Sequence, residues 1–395
     1  MATTVEVGVI RGFVLDDPIR GVLDNTTYTL GGLAFEDITS RVVSVSIQRG
    51  KNRDLDRYPA GTLGVELNNE DRFFDPVSGT AIDVVPRVPI RVLMDGTAQF
   101  YGSVNDWGFT YETTGSSKVD VQASDDFVYL ARQNILTEGT PIVQSSGARI
   151  EAVLDMFTVN WPSDRRAIDS GDTTVAAQPY AGENALEYLQ LIETTEQGQL
   201  FIGKNGDLTF RARGASAARS DNLVTFSDSG TGLPYTEAIL NYGSELLYNT
   251  ATVTGPTGTA TASNALSQQT YGITSIDIAT LASSDDALQN LADFTVAKYA
   301  EPDLRFETLT INVDVLTSSQ RSALLGMELG DVARIIFTPN KIGAAIDRYA
   351  QVIRIAHSVS PSRHDITLSF DSLDFSPLIL DDLAFGRLDS DRLGF

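Results

Sequence analysis

Hydrophobic positions recur at every second residue through much of the chain. Val43, Val45 and Ile47 alternate with Ser44, Ser46 and Gln48, and Leu63, Val65 and Leu67 with Gly64, Glu66 and Asn68. Val119, Val121 and Ala123 alternate in the same way with Asp120, Gln122 and Ser124. Successive side chains on a strand point to opposite faces, so each run predicts a half-buried strand with one wet face. Phe100–Trp107 adds a strand with an aromatic end. Residues from about 40 to 130 therefore predict an antiparallel barrel or sandwich.

The period then changes. Ile150, Val153, Leu154 and Phe157 recur at helical spacing behind Ser145 and Ser146, a predicted N-cap pair. A second helical face carries Leu186, Leu189 and Ile192. Leu200 and Ile202, a turn at Lys204-Asn205-Gly206-Asp207, and Leu208, Phe210 and Ala212 read as a hairpin whose Asn-Gly pair asks for positive φ at both positions. Small residues at 214–218 read as a linker. Beyond them Tyr248–Thr254 is strand-like and Gly255–Gln268 reads as an uncharged loop of small residues. Asp285 opens a helix with Leu288, Leu291, Ala292 and Val296 on one face. Leu309, Ile311, Val313 and Val315 alternate as a strand, Thr317 caps a short helix through Leu325, and strands follow at Val332–Phe337, Gln351–Val359 and Ile366–Phe370.

The expected fold is mainly β with an α+β insert: two tube-like antiparallel β-barrels, a small helix-hairpin module and extended terminal arms. The boundaries are an N-terminal arm at 1–37, a first barrel at 38–137, the module at 138–214, a second barrel with helices at 215–372, and a C-terminal docking arm at 373–395. A length of 395 residues suits such a multi-domain plan.

Composition narrows the chemistry. The chain has no Cys, which removes disulfides, Cys-zinc sites and thiol catalysis, and its two His, His357 and His364, leave little for acid–base work. Gly230-Thr231-Gly232 lacks the rest of a nucleotide loop, and no zinc-protease or nucleophile-elbow motif is present. Asp16-Asp17, Asp125-Asp126 and Asp381-Asp382 lack the spacing of a calcium loop, and adjacent acids on an extended chain point apart. No catalytic residue, cofactor or metal is expected. The net charge of −23, from 52 acidic and 29 basic residues, disfavours phosphate backbones and anionic membranes as ligands and would keep nucleic acid from sticking to a surface it slides past. Met1–Leu15 has no basic stretch ahead of an apolar one, and no apolar run spans a bilayer, so synthesis in a cytoplasm without membrane insertion is expected.

Two features point to partners. Leu15, Asp16, Asp17, Gly21, Leu23 and Asp24 spell Leu-Asp-Asp-x-x-x-Gly-x-Leu-Asp, and Leu380, Asp381, Asp382, Gly386, Leu388 and Asp389 repeat it, with Phe385 before the second Gly. Peptides so short and acidic suit lying along another protein's surface rather than making a core. Arg49, Lys51, Arg53 and Arg57 form the densest basic cluster, in a turn flanked by Asp54 and Asp56, and read as a charge-paired loop at a subunit contact.

Ile38–Ile47, Arg49-Gly50, Leu55-Asp56-Arg57, Ala60-Gly61-Thr62 and Asn68–Pro76 resemble the opening of minor tail proteins of long-tailed bacteriophages of actinobacteria-like hosts. Phe100–Val104 with Trp107, Gln122–Asp126, the helix-hairpin of 184–213, Leu329–Val332 and the closing strand Ser358–Phe370 continue the likeness. The resemblance implies a baseplate or tail hub: a non-enzymatic homotrimer whose two barrels per copy build a pseudo-sixfold ring at the tail tip of the virion. It further implies contacts with the distal tail protein, the tape-measure protein and other minor tail proteins or fibres, and passage of genomic DNA without specific binding. A sixfold distal tail ring, a carbohydrate-binding adsorption protein using Trp107, Trp161 or Tyr180, and a cell-wall hydrolase are the alternatives.

Overall fold

The computed structural model describes residues 2–10, 33–77, 84–136, 141–179, 184–213 and 223–373, with Leu15, Asp16, Pro18, Gly21, Val22, Ile82 and Gly182 between them. The first strand-rich unit contains β1 (Thr3–Ile10), β2 (Leu33–Asp37), β3 (Val42–Gly50), β4 (Thr62–Asn68), β5 (Pro89–Met94), β6 (Thr97–Tyr111) and β7 (Ser117–Ser124). The period-2 runs become strands as expected: Val45, Ile47, Leu63, Val65, Leu67, Val119 and Val121 are buried, while Ser46, Gln48 and Gln122 face out. The stretch expected as an N-terminal arm contributes two of these strands. β1 pairs with both β2 and β5, and its Val5, Val7 and Val9 lie in the core.

The module opens with α1 (Phe127–Leu130), β8 (Gln144–Ser145) and α2 (Ser146–Leu154), followed by β9 (Arg166–Ile168), β10 (Thr174–Val175), α3 (Ala185–Glu196), β11 (Gln199–Ile202) and β12 (Leu208–Arg211). Ser145 caps α2 by accepting from the Ala148 N–H, and Asn184 caps α3 through the N–H groups of Leu186 and Glu187. Phe157 falls beyond the end of α2 and is 91% exposed, so the helical spacing overran the helix by one turn. The hairpin forms with a different turn from the one predicted. Gly206 N donates to Gly203 O and Gly203 N to Asp207 O, and of the Asn-Gly pair only Gly206 has positive φ, at 90°. This is the longer loop built on a type I turn with a left-handed Gly.

The second unit comprises β13 (Val224–Ser227), β14 (Glu237–Asn241), β15 (Thr250–Gly255), β16 (Gly258–Ser263), α4 (Ala265–Tyr271), β17 (Ser275–Ala279), α5 (Asp285–Tyr299), β18 (Arg305–Asn312), α6 (Ser318–Gly326), β19 (Val332–Phe337), β20 (Ile346–Ser360) and β21 (Arg363–Ser372). Thr317 closes a full capping box with Gln320 at the start of α6. Two expectations change. Gly255–Gln268 is not a loop: it holds β16 and the start of α4, and Ala251, Val253 and Ala262 pack on Leu288, Ala292 and Val296 of α5 as a separate small core. The Leu309–Val315 alternation breaks at Asn312, where a 3-10 turn follows and leaves Val315 69% exposed.

Among the described residues, thirteen strands form one sheet, in the order β14-β18-β21-β20-β3-β4-β7-β6-β5-β1-β2, with β19 on β20 and β13 on β19. Apart from β15–β17, which pair among themselves, the two strand-rich units are thus one hydrogen-bonded surface, joined where β3 pairs antiparallel with β20 from Val45↔Val359 to Gly50↔Arg354. β20 is long enough to hold β19 along its first half and β3 along its second on one edge, with β21 on the other.

Candidate functional site

The seam between β3 and β20 is also where the module meets both units, and buried charge concentrates there. β3 ends at Gly50, whose φ of +106° lets the chain turn off the sheet; a Cβ there would lie 2.2 Å from Ile353 O and 2.6 Å from Arg354 Cα. Lys51 N then donates to Ile353 O at 2.9 Å, while Gly330 N and Val352 O close the neighbouring gap at 2.7 Å. Arg49 is 4% exposed and donates from Nη2 to Ile202 O of the module at 3.3 Å and to Glu328 of the second unit.

Glu328 accepts from the N–H groups of Lys204 (2.9 Å) and Leu329 (2.8 Å) as well. Burial pushes its carboxyl up, but Arg49 and those two donors outweigh burial and hold it below the usual carboxylate value. Lys204 Nζ reaches the carbonyls of Leu325, Gly326 and Met327 at 2.7–3.1 Å, satisfying the C-terminal end of α6 with a cation. One arginine, one carboxylate and one lysine thereby tie three parts of the chain together.

A second cluster lies beside it. Lys298 Nζ bridges Asp54 (2.7 Å) and Asp371 (2.9 Å), and Tyr299 donates its hydroxyl to Asp54. Lys51 lies 3.8 Å from Asp54 and 5.1 Å from the Tyr58 ring. Burial alone would raise Asp54, yet Lys298 and Lys51 hold it down; burial and then the Asp54 charge push Asp371 up. Glu193 of α3 accepts from Leu200 N at 3.0 Å, and burial raises its carboxyl to about 7.

The four predicted subunit-contact cations divide. Arg49 and Lys51 are buried in intramolecular bonds, because each finds carboxylates and carbonyls of this same chain at the seam, and so are not available on the surface. Arg53 is exposed and pairs with Glu245 at 2.6 Å, and Arg57 is exposed. Sequence reading marked the basic half of the seam and its flanking Asp54 but missed Lys298, Glu328 and Asp371, which look like any of the 52 acids or 29 bases until the fold gathers them.

Of the repeated words, Leu15 is 77% exposed and Asp16 has φ of 65°. Asp17, Leu23 and Asp24, and all of Leu380, Asp381, Asp382, Phe385, Gly386, Leu388 and Asp389, lie outside the described residues. Asp125 and Asp126 do point apart: Asp125 is buried, accepting from Gly61 N and Phe127 N, and Asp126 pairs with Arg165 at 2.7 Å. His357 and His364 are both buried, with Nδ1 of one 3.3 Å from Nε2 of the other. Of the aromatics considered for sugar stacking, Trp107 and Trp161 are buried and donate to Val85 O and Arg165 O, and Tyr180 lies outside the described residues. Among the described residues no group of three or more metal-ligating side chains comes together, and no helix is long and apolar enough to cross a membrane.

No family model and no curated protein matches the sequence. Solved structures do match the fold. A 43 kDa tail protein of prophage MuSo2 from Shewanella oneidensis aligns with a TM-score of 0.59 at 11% identity, over 94% of this chain and 96% of that one. A tail protein from Neisseria meningitidis MC58 aligns with a TM-score of 0.62 at 13% identity over the same shares. Prophage tail protein gp18 from Listeria monocytogenes EGD-e gives 0.52 at 13% identity, over 94% and 95%. Nearly the full length of each chain is matched, module and sheet included, so this protein has the fold of phage and prophage tail proteins.

Proposed function

We propose that the chain is a structural, non-enzymatic tail hub of a bacteriophage virion, located at the tail tip. Three copies form a ring in which each contributes two tube-like units, giving six positions that continue a sixfold tail tube. The ring joins the tube and distal tail ring to fibres, contacts the tape-measure protein, and leaves a passage for DNA. In this reading the module of 138–214 braces the two units, and the words beginning at Leu15 and Leu380 are docking peptides for neighbouring tail proteins.

The observation that carries the reading is the continuous sheet. Pairing of β3 with β20 and the buried Arg49–Glu328 contact make the two strand-rich units one rigid surface, as a wall segment requires. The full-length likeness to tail proteins supports it. Two units in one chain favour three copies over the six of a distal tail ring. The net charge of −23 suits a wall that DNA passes without binding.

Native mass spectrometry of the purified chain, with class averages of negatively stained particles, tests the reading. Trimers with a central opening and near-sixfold outline are expected. A solitary globule at every concentration, or a closed disc, overturns it.

A further inference from the structure

The side chains around Asp54 are a reactant pair as well as an ion pair. Lys298 Nζ lies 2.7 Å from Asp54 Oδ2 and 2.9 Å from Asp371 Oδ2, and the Tyr299 hydroxyl donates to the same Asp54 oxygen. Asp54 Oδ1 faces Lys51 Nζ at 3.8 Å, and the Asp54 and Asp371 carboxyls share a hydrogen bond. The site is nearly dry: the side chains of Lys298 and Asp54 are 15% exposed and that of Asp371 6%. These groups come from the β3–β4 loop, α5 and β21, and Asp54 and Lys298 stand 244 residues apart in sequence. The chain has no Cys, so no disulfide can tie these parts together.

An amine held against a carboxyl where water is excluded has what an amide needs. In bulk water solvation keeps the ammonium and carboxylate as ions; in a dry site both charges are costly, and an amide removes both. Fixed contact also replaces the encounter that free reactants need, and effective concentrations for such pairs reach roughly 10⁵ M or more. A second carboxyl supplies the proton traffic. Burial would raise Asp54, but Lys298 and Lys51 hold it down as the carboxylate. Burial and then the Asp54 charge raise Asp371 to about 7, so Asp371 is the acid of the two that keeps a proton.

We propose that Lys298 and Asp54 join in an isopeptide bond, formed by the folded chain on itself, with Asp371 carrying the protons. The Lys298 ammonium gives one proton to Asp54 Oδ2. The freed electron pair of Nζ then attacks Asp54 Cγ, and the negative charge that develops on Oδ1 faces the Lys51 ammonium. Asp371 gives its proton to Oδ2, which departs as water when its bond to Cγ breaks, and takes one proton back from the nitrogen. One ammonium and one carboxylate become one amide and one water, with no oxidant, reductant or further reactant. The bond pins α5, and with it the small core it forms with β15 and β16, to the first strand-rich unit.

Mass spectrometry of the full chain, denatured after purification, tests the bond. Wild type is expected to weigh one water, about 18 Da, less than its sequence, and its digest to contain one branched peptide joining the Asp54 and Lys298 segments. Lys298→Arg keeps the charge but offers no amine, and is expected at full sequence mass. Asp371→Asn keeps the shape but has no acidic proton, and is expected to give less than about a tenth of the wild-type branched peptide. Wild type at full sequence mass after long incubation overturns the proposal. So does a water loss that maps to other residues or persists in Lys298→Arg. The branched peptide at wild-type amount in Asp371→Asn overturns the part given to Asp371. The wild-type digest decides the bond even where a variant does not fold, and none of these readouts depends on the oligomeric state.

Discussion

Arg49 and Glu328 are 279 residues apart in sequence and share a buried charge-assisted hydrogen bond. Arg49 is the penultimate residue of β3 in the first unit; Glu328 follows α6 of the second; and Arg49 also donates to Ile202 O of the module between them. Loss of either partner strands the other charge in a largely dry site, which costs more than the pair contributes when intact.

Arg49→Met is therefore expected to destabilise the protein by about 3 kcal/mol, and Glu328→Met by a similar amount. The double variant Arg49→Met/Glu328→Met is expected to recover most of the loss, since neither charge is left alone. Urea unfolding of the four proteins measures the coupling; additive losses would show that the two side chains act independently.

Gly50 and Gly115 separate strain from collision. Both have positive φ, +106° and +97°, but a Cβ at Gly115 meets nothing within 4 Å, while at Gly50 it strikes the β20 backbone. Gly115→Ala is expected to cost about 1 kcal/mol and Gly50→Ala at least about 3 kcal/mol. Amide exchange of Arg354–Val359 should rise in Gly50→Ala alone, because the seam opens there. Equal costs for the two would remove backbone collision as the cause.

Glu193 has a folded-state value of about 7, raised by burial above an ordinary 4.5. Such a group favours the fold when protonated, so its contribution is complete below about pH 4.5 and is lost as pH rises through about 7. Glu193→Gln keeps the neutral shape and is expected to gain on the order of 3 kcal/mol over wild type at pH 8, and nothing at pH 4. Unfolding midpoints at the two pH values decide it; a gain that does not change with pH counts against burial of the carboxyl.

His364 behaves in the opposite sense. Burial lowers it from 6.5 to about 4, and burial followed by the neighbouring His364 ring lowers His357 as well. The neutral rings favour the fold, so this stability is present above about pH 6.5 and fades as pH falls through about 4. His364→Gln, which cannot gain a proton, is expected to flatten the stability loss between pH 6.5 and 4. NMR titration of the two imidazoles gives the same information directly, and an ordinary value near 6.5 for both would contradict it.

Local periodicity determined the elements. Val45 and Ile47, or Leu309 and Ile311, alternate because a strand has two faces and one of them is dry; Ser145, Asn184 and Thr317 cap helices because their short polar side chains reach free N–H groups nearby. Those are neighbour-to-neighbour effects, and they are written in consecutive residues. Where small residues replaced strong hydrophobes, as in Gly258–Ser263, the signal failed: Ala and Thr alternate too weakly to announce a strand, and the cover supplied by α5 is distant in sequence. The union of the two units was beyond local reading altogether. β3 and β20 are separated by some three hundred residues, and nothing in either strand names the other. The same holds for Asp54, Lys298, Glu328 and Asp371, whose roles depend on desolvation and on which opposite charge arrives beside them, and only the folded chain sets both.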